Sequence, residues 1–161
     1  MKKNNILIVG SDFSLFQNIQ SIIEDEDYDL KFISIFTIDL VNYMETNNIH
    51  LVLIDIDEEI IKCIHLGQYL LNEDLIPFCY LSSNADSITI EKVKRTRPYG
   101  FFVKPFREMD MNASLKLIFY NYLHKNIDLL KNDKKIIEDV PYRIRHVINY
   151  INENINEKID F

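Results

Sequence analysis

The chain has 161 residues, 47% of them hydrophobic, which excludes wholesale disorder and suits one domain with an appendage. Its formal net charge of −7 disfavours non-specific nucleic-acid binding by the chain as a whole. Cys63 and Cys79 form no CxxC pair, the histidines are scattered, and no apolar run approaches a membrane span or a signal-peptide core, so a zinc site is not expected and a cytoplasmic chain with two reduced packing thiols is.

Ile6 to Val9 is a wholly apolar run and reads as a first strand. Gly10, Ser11 and Asp12 break it and open a helix in which Leu15, Phe16, Ile19, Ile22 and Ile23 recur at helical spacing to about Glu26. Leu30 to Ile35 is a second strand, and Leu40, Val41 and Met44 mark a short helix after it. A third strand runs from Leu51 to Ile54 with Asp55 at its end, followed by a helix containing Ile60, Ile61, Ile64 and Tyr69 to Leu71. Pro77 precedes a fourth strand, Phe78 to Leu81, that ends in Ser82. Asp86 then caps a modest helix to Thr96, with Ile90 and Val93 turned inward. The fifth strand is Gly100 to Val103, ending in Lys104-Pro105, and a long helix follows with Leu115, Ile118, Phe119 and Tyr122 as its buried stripe.

Five strands alternating with helices predict a parallel sheet covered on both faces, the flavodoxin-like doubly wound arrangement with strand order 2-1-3-4-5. The site of such a sheet lies outside the carboxyl ends of its strands. Gly10 to Asp12, Asp55, Ser82 and Lys104 all fall there. An acid, an alcohol and an amine at one rim suit phosphoryl transfer to a carboxylate: Asp55 is the nucleophile, Lys104 supplies positive charge and Ser82 a hydroxyl donor for the phosphoryl oxygens. Pro105 favours an extended backbone at Lys104. Asp57, Glu58 and Glu59 read as the first turn of the third helix, where carboxylates favour the positive end of the dipole; the other reading is metal capture beside the pocket.

In these segments, LVLIDID, IPFCYLSS and PYGFFVKPF, the chain resembles a response-regulator receiver domain of two-component signalling, over about Asn4 to Lys125. The resemblance implies a regulatory module in a phosphorelay, not an enzyme. It implies Asp55 as the phospho-acceptor of a sensor histidine kinase, Ser82 and Lys104 as phosphate-binding groups, and Phe101 as the switch aromatic three residues before the lysine. It also implies a homodimer through the strand four to helix five face. The family carries an acidic pair straight after strand one that helps hold Mg²⁺; here Gly10 and Ser11 stand in those places and Asp12 lies one further on. Mg²⁺ demands near-octahedral oxygen ligands, so a weak, degenerate site is expected from Asp55, the backbone carbonyl of Asp57, Ser11 and an inward-bent Asp12.

The tail departs from the sheet pattern. Residues 126–140 read as a linker or an extension of helix five. Pro141 then precedes an amphipathic helix with Ile144, Val147, Ile148, Ile151 and Ile155. RIRHVINYINENINEKIDF is similar to the opening helix of an AraC-type helix-turn-helix domain, which implies a transcription regulator that meets DNA only through a part beyond Phe161. Two other functions compete. One is a pseudo-receiver that serves as a dimerisation or interaction module without phosphate. The other is a flavin- or nucleotide-binding enzyme, disfavoured because Gly10-Ser11-Asp12 is a short, acidic substitute for a phosphate-cradling loop.

Overall fold

A computed structural model describes residues 2–23, 26–34, 39–74 and 76–132. The chain divides into two compact units, Met1–Leu115 and Lys116–Phe161. The first unit holds the sheet. Its strands are β1 (Asn4–Gly10), β2 (Tyr28–Ser34), β3 (Leu51–Asp55), β4 (Phe78–Ser82) and β5 (Gly100–Val103). They form one parallel sheet in the order β2-β1-β3-β4-β5, the doubly wound arrangement expected from the alternation. Every residue from Ile6 to Val9 and from Leu51 to Ile54 is fully buried, as unbroken apolar runs require when helices cover both sheet faces.

The helices are α1 (Phe13–Ile22), α2 (Leu40–Thr46), α3 (Ile60–Glu73), α4 (Ser87–Val93) and α5 (Glu108–Asn132). Asp12 caps α1 by accepting from the Ser14 amide, and Asp86 caps α4 by accepting from the Thr89 amide. The fourth helix is shorter than expected: α4 stops at Val93 and a 3₁₀ turn carries the chain through Lys94–Thr96. Val93 is buried, but Ile90 is 37% exposed and does not turn inward as expected. Within the first unit α5 is anchored by buried Asn112, whose amide donates to the Ile22 and Glu108 carbonyls at 2.9 Å each. The Ile22 carbonyl is one of those at the end of α1 that no amide of its own helix can reach, and Asn112 supplies the donor.

One close approach sets how tightly α3 lies on the sheet. A Cβ at Gly67 would stand 2.0 Å from the Tyr80 hydroxyl oxygen. Glycine is what lets helix and strand meet here. The Tyr80 hydroxyl lies 2.6 Å from Thr96 Oγ1, which itself donates to the Val93 carbonyl, so the tyrosine is the donor of the pair.

In the second unit the helix continues without a break to Asn132. The expected helix of residues 141–161, and with it the helix-turn-helix resemblance, lies outside the described residues.

Candidate functional site

The register brings the carboxyl ends of three strands together. Asp55 pairs with Leu81 across β3 and β4, and Ser82 with Val103 across β4 and β5. The ladder runs one step past each end, through Ile56 N–H to the Leu81 carbonyl at 3.0 Å and Lys104 N–H to the Ser82 carbonyl at 2.9 Å. Asp55, Ser82 and Lys104, far apart in sequence, therefore share one rim.

The Lys104 ammonium reaches over this rim and donates to Asp55 Oδ2 at 3.0 Å. It also donates to Asp57 Oδ2 at 2.9 Å. The Asp55 side chain is 9% exposed and the other two are 24% exposed, so these ion pairs are partly shielded from solvent. The second oxygen of Asp55, Oδ1, accepts from the Asp57 amide at 3.1 Å, and the Cys63 thiol donates to the Asp55 carbonyl at 3.2 Å. Both oxygens of Asp55 are thus engaged, and its backbone is held from α3. Burial pushes the Cys63 thiol up to about 12, with Asp55 and Glu59 adding to the shift, so it acts as a donor and not as a nucleophile.

Asp57 is the most heavily bonded group of the rim. Its Oδ1 accepts from Ser82 Oγ at 2.8 Å and from the Ser83 amide at 2.9 Å. Its Oδ2 accepts from Lys104 and from the Ser83 hydroxyl. Burial alone would raise its pKa; the bonds from Ser83, Lys104 and Ser82 outweigh that and bring it down to about 2. For Lys104 the balance has the same form: burial lowers its pKa, and Asp57 and Asp55 together raise it above 10.5.

This corrects the helical reading of the acidic run. α3 begins at Ile60 with Glu59 as an N-cap that makes no side-chain capping bond, and its first turn holds no acidic residue. Asp57 lies in the pocket instead. A signal for this was present: Asp55 and Asp57 are two residues apart at the end of a strand, and alternation puts such side chains on the same side. Ser83 carries no such signal in the sequence, yet its amide and hydroxyl both donate to Asp57.

The remaining expected site residues fall as follows. The Asp12 carboxylate is spent on α1, accepting from the Ser14 amide at 2.9 Å and the Ser14 hydroxyl at 2.7 Å. Those bonds, chiefly from the Ser14 side chain, lower its pKa. It does not bend inward. Ser11 donates its hydroxyl to Glu58. Gly10 faces the site directly, since a Cβ there would lie 3.2 Å from Asp55 Cβ. Phe101 sits beside Tyr80 in the β4–β5 register and is partly buried against the core.

Among solved structures, three comparisons fix the fold. The signal receiver domain of a modulated diguanylate cyclase from Desulfovibrio desulfuricans G20 is 18% identical, with a TM-score of 0.66 over 77% of this chain and 99% of that one. A response regulator from Thermotoga maritima is 17% identical, with a TM-score of 0.65 over 74% of this chain and 99% of that one. The chemotaxis protein CheY4 of Vibrio cholerae is 13% identical, with a TM-score of 0.62 over 73% and 99%. The chain has the receiver-domain fold. No protein-family model matches the sequence, and no curated protein matches it. In receiver-fold terms, Asp55 ends the third strand and Lys104 follows the fifth, at the sheet edge where doubly wound folds carry their sites. Among the described residues no helix is long and apolar enough to cross a membrane.

Proposed function

We propose that the chain is a receiver-type signalling module that accepts a phosphoryl group on Asp55 from a sensor histidine kinase and thereby controls an attached output. The observation that carries this reading is the Lys104 ammonium, 3.0 Å from Asp55 Oδ2, at a rim that also holds the Ser82 hydroxyl. In the transfer an Asp55 oxygen forms the new P–O bond while the P–N bond to the donor imidazole breaks, and the electron pair leaves with that nitrogen, which takes up a proton. Lys104 and Ser82 would bind the charge that gathers on the equatorial oxygens.

Mg²⁺, which the fold family implies, does not fit this set of residues well. An octahedral site draws on one or two free carboxylates. Here Asp12 caps a helix, Glu58 binds Ser11, and Asp55 and Asp57 share Lys104. Among the described residues no three acidic, His or Cys side chains are grouped to hold a metal. Metal binding is therefore weak in this reading, and transfer to Asp55 is slow.

A second reading is favoured by one observation, the four donors already closed on Asp57. In it the chain acts as an interaction module without turnover of phosphate. Leu117, Tyr120 and Leu123, exposed at three-residue intervals on α5, are the apolar surface through which a second copy would pair. A DNA-binding output would belong to the chain beyond the described residues.

Incubating the full chain with Mg²⁺ and phosphoramidate, then measuring intact mass, separates these readings. The first predicts slow gain of one hydroxylamine-labile phosphoryl group that Asp55→Asn abolishes. Labelling elsewhere, or none in any variant, would overturn it.

A further inference from the structure

The groups that would receive a phosphoryl on Asp55 are a hydroxyl, a backbone amide and an ammonium, and in this chain all of them are already bonded to one anion. Ser82 Oγ, the Ser83 amide, the Ser83 hydroxyl and Lys104 Nζ converge on the two oxygens of Asp57. Two further features make this arrangement specific. Asp57 and Asp55 contact the same ammonium nitrogen, at 2.9 and 3.0 Å, so a phosphoryl added to Asp55 would meet an ammonium already shared with Asp57. Ser82 is buried, and its hydroxyl donates to Asp57 while accepting from the Asn84 amide at 3.0 Å, so its proton has no second acceptor to serve.

We infer that the Asp57 carboxylate is a built-in stand-in for the phosphoryl group. It fills the oxyanion donors in the unphosphorylated chain, and a phosphoryl on Asp55 can bind them only after Asp57 has left. The inference rests on the receiver reading of the rim and deepens it by naming what regulates the site. Its chemistry is direct. A carboxylate offers two anionic oxygens to charge-assisted donors much as a phosphoryl offers two of its three. Both cannot be held there at once, because Ser82 Oγ and the Ser83 amide each have one proton to give and both give it to Asp57, and a dianion brought to the same donors would repel the carboxylate at contact distance. The switch is therefore set by default: Ser82 is drawn toward the rim with no phosphate present. Loading Asp55 must move Asp57 outward, which costs at least the bonds it gives up.

The test uses the full ¹⁵N-labelled chain, Asp57→Ala, Asp57→Asn (which keeps the shape and removes the charge) and Asp55→Asn/Asp57→Ala. The probe is beryllofluoride with Mg²⁺, read at the Ser83 amide by NMR, together with the initial rate of labelling by phosphoramidate. Both Asp57 variants should move the Ser83 amide resonance. Beryllofluoride should return it toward its wild-type position, at a half-saturating concentration at least about tenfold lower than wild type needs, the size of one charge-assisted hydrogen bond. Phosphoramidate labelling should quicken by a similar factor, and the Asp55→Asn/Asp57→Ala double variant should neither bind nor label. Equal probe affinity in wild type and Asp57→Ala, or a Ser83 amide indifferent to the substitution, overturns the inference and leaves the acceptor reading standing. A Ser83 amide that moves in chains that neither bind probe nor accept phosphate upholds Asp57 as the resident anion and refutes Asp55 as acceptor.

Discussion

Replacing Asp57 by Asn should cost stability in a way that depends on pH, and the size of the effect follows from the pocket. The Asp57 carboxyl is brought down from 3.8 to about 2 because, against the opposing effect of burial, Ser83, Lys104 and Ser82 all donate to its charged form. A group with a depressed folded pKa binds protons less readily in the folded than in the unfolded chain. Its stabilisation is complete above the unfolded value of 3.8 and disappears as pH falls through about 2. At about 1.4 kcal/mol for each pKa unit, the charged form contributes about 2 kcal/mol at neutral pH, an order-of-magnitude figure for a group partly open to water. Urea unfolding of wild type and Asp57→Asn, measured side by side from pH 7 downward, should show a gap of about that size. The gap should fall to roughly half by about pH 3 and nearly vanish by about pH 2, with the other carboxylates cancelling in the comparison. A gap that stays constant from about pH 7 to pH 3 would refute the reasoning, since it would mean the charge of Asp57 does not hold the donors.

Substitutions away from the rim probe the scaffold. Gly67→Ala would push a methyl to 2.0 Å from the Tyr80 hydroxyl oxygen. The overpacking should outweigh the roughly 1 kcal/mol gain in helix propensity, and Tyr80→Phe in the same chain should restore much of the loss in a double-mutant cycle. Asn112→Ala, which leaves the Ile22 and Glu108 carbonyls without their buried donor, should cost about 1–3 kcal/mol in urea unfolding, and Asn112→Asp more, because it aims a charge at two carbonyl oxygens. His50 accepts the Asn5 amide on Nδ1 at 2.8 Å, and burial first, then Lys2, holds its pKa below 6.5. Its neutral form is the folded one, so its contribution is complete above that value and shrinks as pH falls below it. Thermal midpoints at about pH 7.5 and 5.5 should differ more for wild type than for His50→Gln.

Most of the sheet could be read from the sequence because its strands are buried on both faces. Ile6 to Val9, Leu51 to Ile54 and Phe78 to Leu81 leave no polar interruption, and such runs fit little else in a chain that alternates with amphipathic helices. The nearness of Asp55, Ser82 and Lys104 followed from topology alone, since parallel strands put their carboxyl ends on one side. What topology does not carry is which donor chooses which acceptor. Asp57 and Ser83 are linked across 26 positions in sequence, and their bonding depends on how the loop after β3 folds back over β4. Asp12 shows the opposite case. Its local role was available from the rule that an Asx residue caps a following helix, and that bond keeps it from the pocket.

The meeting of Lys104 with both carboxylates can be measured most directly by titrating its ammonium through the ¹³Cε resonance. The arrangement predicts a Lys104 pKa above 10.5 in wild type, lowered in Asp55→Asn, lowered in Asp57→Asn, and lowest in the double variant. A Lys104 that titrates at its ordinary value in all four chains would mean that the amine does not sit between the two acids, and the shared hollow on which this function rests would not exist.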